Sequence, residues 1–218
     1  MRNDLFLDPE ETHLLNGVLH IIDRDPDFRQ AIDVITPIPS RMRPAGFKPL
    51  VKIIVEQQVS IASANAIWGR LEKAITPFKP ETLLSFSETR LRDLGLSKQK
   101  AVYCRALATS ISEGVLSLTS LEQLDDLVAM DHLTQVKGIG RWTAEIYLIA
   151  CLKRQDIWPA GDVALKVALQ HLKKLDTRPS VQEMDLYAEK WRPYRTLAAR
   201  ILWRYYADVV KKKPDIGV

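Results

Sequence analysis

Glycine is scarce in this chain, with 9 among 218 residues, and strict polar–apolar alternation is hard to find anywhere in it. The main signature of β-strands is therefore missing. Cysteine is rarer still: Cys104 and Cys151 are the two, far apart in sequence. A disulfide framework is not indicated, and a reducing compartment is the default. Two cysteines also cannot ligate a four-cysteine iron–sulfur cluster. No run of 18 apolar residues occurs, and no charged-then-apolar signal opens the chain. Neither a spanning helix nor a secretory signal is indicated, so the expectation is a soluble intracellular protein with no membrane partner. His13 and His20 lie seven residues apart on one helical face, but no cysteine or third histidine is near. A metal site needs more ligands than that, and both read as ordinary helix residues.

What is abundant is Leu, Ala, Ile, Lys and Arg, which favours an all-α fold. The length allows one large domain or two small lobes with a real core. The formal net charge of +4 is compatible with DNA without being diagnostic of it. Asp8-Pro9-Glu10-Glu11 is a good helix start, followed by Leu14, Leu15, Val18, Leu19 and Ile22 at helical period. Asp25-Pro26 restarts the chain into a second short helix. Residues 36–46 are dense in proline and positive charge and read as a linker. There Arg41 and Arg43, with Lys48 beyond, are either DNA contacts or parts of a solvated connector.

The richest stretch is Leu-x-x-Val-x-Gly-Ile-Gly-x-Trp-Thr-Ala at residues 133–144. It predicts a helix, a tight turn at Gly138 and Gly140, and a second helix. Glycines let the backbone turn sharply and approach a partner closely. The first amides of the second helix have no intrahelical acceptor and share the positive end of its dipole, which suits a phosphate oxygen. The amides of Gly138 and Gly140, the Thr143 hydroxyl, Lys137 and Arg141 are candidate contacts to a DNA backbone. Asp162 follows twenty residues after Trp142, in a Pro-Ala-Gly-Asp turn that opens another helix with Leu165, Leu169 and Leu172 on one face. Alone, such an aspartate would read as an N-cap.

The hairpin followed by Gly161-Asp162 resembles the helix-hairpin-helix DNA glycosylase superfamily, most closely its 3-methyladenine DNA glycosylase II family. Three more segments extend the resemblance over roughly residues 40 to 210: Ile54-Val55-Glu56-Gln57-Gln58-Val59-Ser60, Gly95-Leu96-Ser97-Lys98-Gln99-Lys100-Ala101, and Ala188 to Arg195 followed by Leu202-Trp203. The resemblance implies an all-α fold of two helical lobes with the active-site cleft between them. Residues 1–218 form a single glycosylase unit, with sub-lobes at roughly 46–154 and at 1–45 packed with 155–218, and the hairpin near 132–148.

The resemblance also assigns roles. Asp162 is the catalytic carboxylate. Trp142 stands where bifunctional relatives carry a nucleophilic lysine, so hydrolysis without strand cleavage is expected. Trp142, Trp203, Ile146 and Tyr147 are candidates for the base pocket; Ile146 replaces an aromatic common in relatives, and Tyr147 lies about 100° around the helix from it. Gln57, Gln58 and Ser60 face the DNA at the lesion, with Gln58 in the place of the residue that fills the gap left by a flipped nucleotide. Lys137 replaces the proline usual in the turn. Relatives bind a monovalent cation through carbonyls matching those of Thr134, Val136 and Ile139, so Na+ or K+ is a candidate there. The cluster of the endonuclease III branch is not expected. Lys98 and Lys100 are phosphate contacts or part of a solvated face, and Arg195 anchors a turn.

The expected function is monofunctional excision of alkylated purines, 3-methyladenine first, with 7-methylguanine, hypoxanthine or etheno adducts as further substrates. The partner is double-stranded DNA carrying alkylated bases, met by a monomer in the cytoplasm or nucleoid of a bacterium or the nucleus of a eukaryote. The alternatives are a non-catalytic DNA-binding hairpin protein, a glycosylase of the superfamily with another base preference, and a helical scaffold for protein contacts.

Overall fold

The computed structural model describes residues 4–6, 8, 11, 14–40 and 42–211. Along them run α1 (Leu15–Arg24), α2 (Asp27–Val34), α3 (Phe47–Glu56), α4 (Ile61–Ala74), α5 (Pro80–Leu84), α6 (Glu88–Asp93), α7 (Lys98–Ser112), α8 (Asp126–Thr134), α9 (Arg141–Ala150), α10 (Val163–Lys173), α11 (Val181–Glu189) and α12 (Arg195–Tyr205). A 3-10 turn spans Ser120–Gln123, and a π-helical turn, Tyr206–Val210, extends α12. The fold is all-α; among the described residues extended backbone pairs in one isolated bridge, Phe6 with Ile38.

The chain divides into two compact units. One is residues 42–153. Its centre is α3, where Leu50, Val51, Ile53, Ile54 and Val55 are fully buried. Each such side chain contributes roughly 1.5–3 kcal/mol on leaving water. Helix α3 packs against α4, α7 and α9. Serine marks the helix starts: the Oγ atoms of Ser60, Ser87 and Ser97 accept from amides three residues on and begin α4, α6 and α7. Such caps are worth about 1 kcal/mol each.

The other unit gathers the described residues of 1–41 with 154–211. Here α12 is the buried core helix and packs against α1, α2 and α10. Phe28, Trp191 and Trp158 stack edge to face at 5.0 and 5.1 Å. Asp25, 1% exposed, accepts from Lys173, from Lys190 at 2.9 Å and from the Trp191 indole at 3.1 Å.

One residue of the expected first helix changes face. Helix α1 is described from Leu15, and Leu19 on it is half exposed, so its buried face is Val18, Ile21 and Ile22. Pro9, Glu10, His13, Arg41, Lys212 and Lys213 lie outside the described residues; His20 bonds the Arg192 carbonyl at 2.7 Å. Helix α12 widens to π geometry at Tyr206, so its register shifts past Tyr205.

Candidate active site

Within residues 42–153, α8 ends at Thr134, a turn follows, and α9 begins at Arg141 without a side-chain cap. The first amide bonded within α9 is that of Ala144, to the Gly140 carbonyl at 3.1 Å. The amides ahead of it gather at the positive end of the helix. The two glycines differ. Gly138 has φ +96°, and a Cβ there would stand 2.1 Å from Cγ of Tyr103. Gly140 has ordinary φ −88°, and nothing within 4 Å would meet a Cβ. The chain needs the first glycine for its own turn, whereas the second keeps a stretch of backbone open to the outside. Lys137 is exposed and lines a shallow groove with Lys98, Gln99, Val102 and Tyr103.

The end of α3 lies against this turn. The Gln57 side-chain amide donates to the Gly138 carbonyl at 3.1 Å and to Thr143 Oγ1 at 2.7 Å. Thr143 is 2% exposed. Its hydroxyl was expected at a phosphate; it is instead an internal brace, because the buried third position of α9 points it at Gln57. Gln57, expected to face DNA, spends its amide in the same brace. Gln58, next in sequence, is exposed and has φ +52°. Ser60 is exposed, and its hydroxyl is engaged by Ser63 at the start of α4. Lys100 is buried, its ammonium donating to the carbonyls of Val55 and Gln57 at 2.7 Å each. It belongs neither to a phosphate contact nor to a solvated face.

On α9, Trp142 and Ile146 are half-buried, one turn apart. Tyr147 is fully buried, and its hydroxyl accepts from the Gly46 amide at 3.0 Å. Burial pushes that phenol up to about 12. Its 100° offset turns it into the core, away from the side of Ile146, so it is a packing residue and not a pocket wall. The Arg141 guanidinium is held by Glu145 at 2.7 Å, across one helical turn. Arg43 is paired with Glu56 at 3.1 Å and Lys48 with Glu72 at 2.6 Å, so neither linker cation stands alone.

In the other unit, Asp162 begins α10. Its Oδ1 accepts from the Leu165 amide at 3.0 Å and from the Trp203 indole N–H at 3.2 Å. Trp203 is only 9% exposed, so its polar edge fixes the carboxylate while most of its ring is covered. The turn before Asp162 is pinned in several places. Its amide bonds the Pro159 carbonyl at 2.9 Å. The Thr196 hydroxyl accepts from the Ile157 amide and donates to the Arg154 carbonyl. The Arg195 guanidinium grips the Asp156 carboxylate at 2.7 and 3.0 Å. Side-chain clusters of His, Cys, Asp or Glu able to hold a metal do not occur among the described residues.

The stretch that holds the hairpin, α9 and Asp162 is matched by a family model. The model of the HhH-GPD superfamily of base excision DNA repair proteins covers residues 51–193, more than half of the chain. The chain belongs to that superfamily. A Bacillus subtilis protein provisionally named a DNA-3-methyladenine glycosylase is 32% identical over 163 residues, which are 71% of this chain and 57% of that protein. The chain thus spans a little over half the length of that relative. Two solved structures are similar over nearly their whole lengths. A 3-methyladenine DNA glycosylase of Schizosaccharomyces pombe, in complex with abasic DNA, has a TM-score of 0.80 and 28% identity, covering 86% of this chain and 95% of that one. A DNA-3-methyladenine glycosidase from Bacillus halodurans has a TM-score of 0.76 and 33% identity, covering 90% and 91%.

In this member of the superfamily, sequence reasoning missed Tyr103 under Gly138 and the indole bond to Asp162. Lys100 did leave a signal: it shares a helical period with Cys104 and Leu107, both fully buried. Trp203 lies beyond the matched segment.

Proposed function

We propose that the chain is a monofunctional DNA glycosylase that hydrolyses the N-glycosidic bond of 3-methyladenine in double-stranded DNA, acting as a monomer on the cell's own DNA. The observation that carries this reading is the Asp162 carboxylate, held at the head of α10 by the Leu165 amide and the Trp203 indole. It supports a fixed negative charge beside a reacting sugar.

The chemistry follows from the lesion. Alkylation at N3 or N7 makes the purine a cation and a good leaving group. The base leaves the duplex at a cost of a few kcal/mol, least where pairing is already damaged. The half-exposed Trp142 offers an electron-rich ring to the cationic base, an attraction of about 0.5–2 kcal/mol. As the C1′–N bond breaks, its electron pair goes to the purine and cancels the charge there. The sugar gains oxocarbenium character, which the Asp162 carboxylate stabilises. Water bonds to C1′ and gives its proton to Asp162. The products are the free base and an abasic site. Trp142 carries no amine, so no Schiff base forms and the strand stays intact.

Gly138, Gly140 and the first amides of α9 seat the backbone phosphate, with Lys137 and Arg141 at its edge, and Gln58 fills the vacated place. A sodium or potassium ion would be held at the hairpin by the carbonyls of Thr134, Val136 and Ile139. That of Val136 already accepts from the Ile139 amide at 3.0 Å, which leaves its second lone pair for the ion. Replacing K+ by tetramethylammonium at constant ionic strength then weakens duplex binding. 7-Methylguanine shares the cationic logic and is a second substrate; neutral hypoxanthine and etheno adducts are slower ones.

The test is single-turnover incubation with labelled methylated duplex, analysed with and without hot alkali. The expected result is free methylpurine, with strand breaks only after alkali. Breaks without alkali would mean a nucleophile. Duplex retained with no base released would make the chain a binding protein.

A further inference from the structure

Helix α7 supports both tips of residues 42–153 that face outward. Lys100 and Tyr103 lie three residues apart on it, on neighbouring positions of one face. Lys100 clamps the carbonyls of Val55 and Gln57, which end α3. These are acceptors that a helix C-terminus leaves without partners. Tyr103 lies directly under Gly138, leaving no room for a Cβ. Gln57 closes the triangle: its carbonyl is held by Lys100, and its side chain holds the Gly138 carbonyl and the Thr143 hydroxyl.

The residue this triangle presents is Gln58, exposed and in the left-handed region at φ +52°. That backbone state is costly for a non-glycine residue and persists only where its surroundings over-determine it. The clamp is itself costly. Lys100 has neutral carbonyls and not a carboxylate as its partners, and burial holds its ammonium below the usual lysine range. A methionine would fill the same space without a desolvated charge. Packing alone therefore does not account for a cation at this place.

We propose that Lys100 is a positioning residue for base extrusion: by clamping the end of α3 and, through Gln57, the hairpin turn, it fixes Gln58 relative to the phosphate seat. Seating the backbone on residues 138–140 then delivers Gln58 to the helix at a set place and angle. The proposal rests on the reading of the chain as a base-extruding glycosylase.

The test uses Lys100→Met and Gln57→Leu in the full chain. The substrate is a duplex with one 7-methylguanine flanked by 2-aminopurine, whose fluorescence rises when its neighbour leaves the stack. Binding is read separately on a duplex with an uncleavable abasic analogue, where no base has to be extruded. For Lys100→Met, abasic-duplex binding is expected within about threefold of wild type, while single-turnover excision falls by about tenfold or more and the fluorescence rise is lost, as for one buried charge-assisted contact. Gln57→Leu, which leaves the Lys100 clamp in place, shifts the same two readouts and shows the same sparing of abasic binding. Wild-type excision in both variants overturns the proposal. So does excision lost with the fluorescence rise intact, or binding and excision falling together. Should Lys100→Met fail to fold by circular dichroism, Gln57→Leu decides alone. A wild-type chain that gives the fluorescence rise without releasing base sinks the glycosylase reading but leaves the extrusion contrast measurable.

Discussion

Asp162 does two things through one carboxyl group, and they can be separated. It caps α10 through the Leu165 amide, and it carries the charge that the proposed chemistry needs. Asparagine caps helices as well as aspartate does and can accept the same two bonds, but it is neutral. Asp162→Asn is therefore expected to melt within about 1 kcal/mol of wild type and to lose about 100-fold or more in single-turnover excision. Equal loss of stability and activity would reduce Asp162 to a cap. Trp203→Phe keeps an aromatic side chain but removes the indole N–H that orients the carboxylate. Excision is expected to fall about tenfold, the value of one hydrogen bond to a charged group, with duplex binding little changed; an unaltered rate would show that the indole bond does not orient the carboxylate for catalysis. The catalytic candidate itself was legible in sequence, since a Gly-Asp turn at a fixed distance from a hairpin is a local pattern. Its partner was not. Trp203 stands 41 residues away, and helical period says which face a tryptophan occupies, not which oxygen its N–H will meet. Thr143 and Tyr147 were misread for a related reason: a hydroxyl's partner is set by the neighbouring element.

At the scale of elements, the hairpin makes two glycines with different reasons to be there. Gly138→Ala places a side chain at φ +96° and into the ring of Tyr103. The expected cost is about 2 kcal/mol or more, combining backbone strain with overpacking. Gly140→Ala meets no atom within 4 Å and keeps an allowed φ. Its melting temperature is expected to stay unchanged, while its affinity for an abasic duplex falls because a Cβ keeps the backbone from a phosphate. Thermal melts and duplex titrations of the two variants give the contrast, and equal duplex affinity in Gly140→Ala would remove the phosphate seat from that position. Capping is local chemistry, so helix starts such as those at Ser60 and Ser97 can be marked in sequence. The π turn at Tyr206–Val210 was not, because a widened turn answers to tertiary contacts: Asp208 accepts from the Thr36 amide at 2.8 Å and hydroxyl at 2.7 Å, 172 residues away.

The stability of the whole chain has a pH signature that starts from Asp25. Burial raises the Asp25 carboxyl, but hydrogen bonds and charge from Lys173 and Lys190 outweigh it and leave the group below the usual carboxylate range. Lys173 is 11% exposed; burial lowers its ammonium, and Asp25 and Asp27 outweigh that and hold it above the usual lysine value. A carboxylate depressed on folding stabilises above its unfolded value, near 3.8, and loses that contribution as pH falls through the lower folded value. An ammonium raised on folding stabilises below its unfolded value, near 10.5, and loses that contribution as pH rises through the higher folded value. Between these limits Asp25 and Lys173 are both charged and the contribution of their pair is flat. Asp25→Asn removes the shared anion from between two ammonium groups, leaving Lys173 with Asp27 at 2.8 Å, and it weakens the partner of the Trp191 indole. The expected loss is about 3 kcal/mol, at the low end for breaking a buried pair because Lys190 is 38% exposed and partly screened by water. Urea unfolding of both proteins from pH 3 to pH 9 reads this directly. The difference between them should stay constant from about pH 5 to 9 and shrink below about pH 4 as Asp25 takes up its proton. A difference that persists undiminished at pH 3 would mean that the asparagine disturbs packing, and that the charge of Asp25 does not hold this unit together.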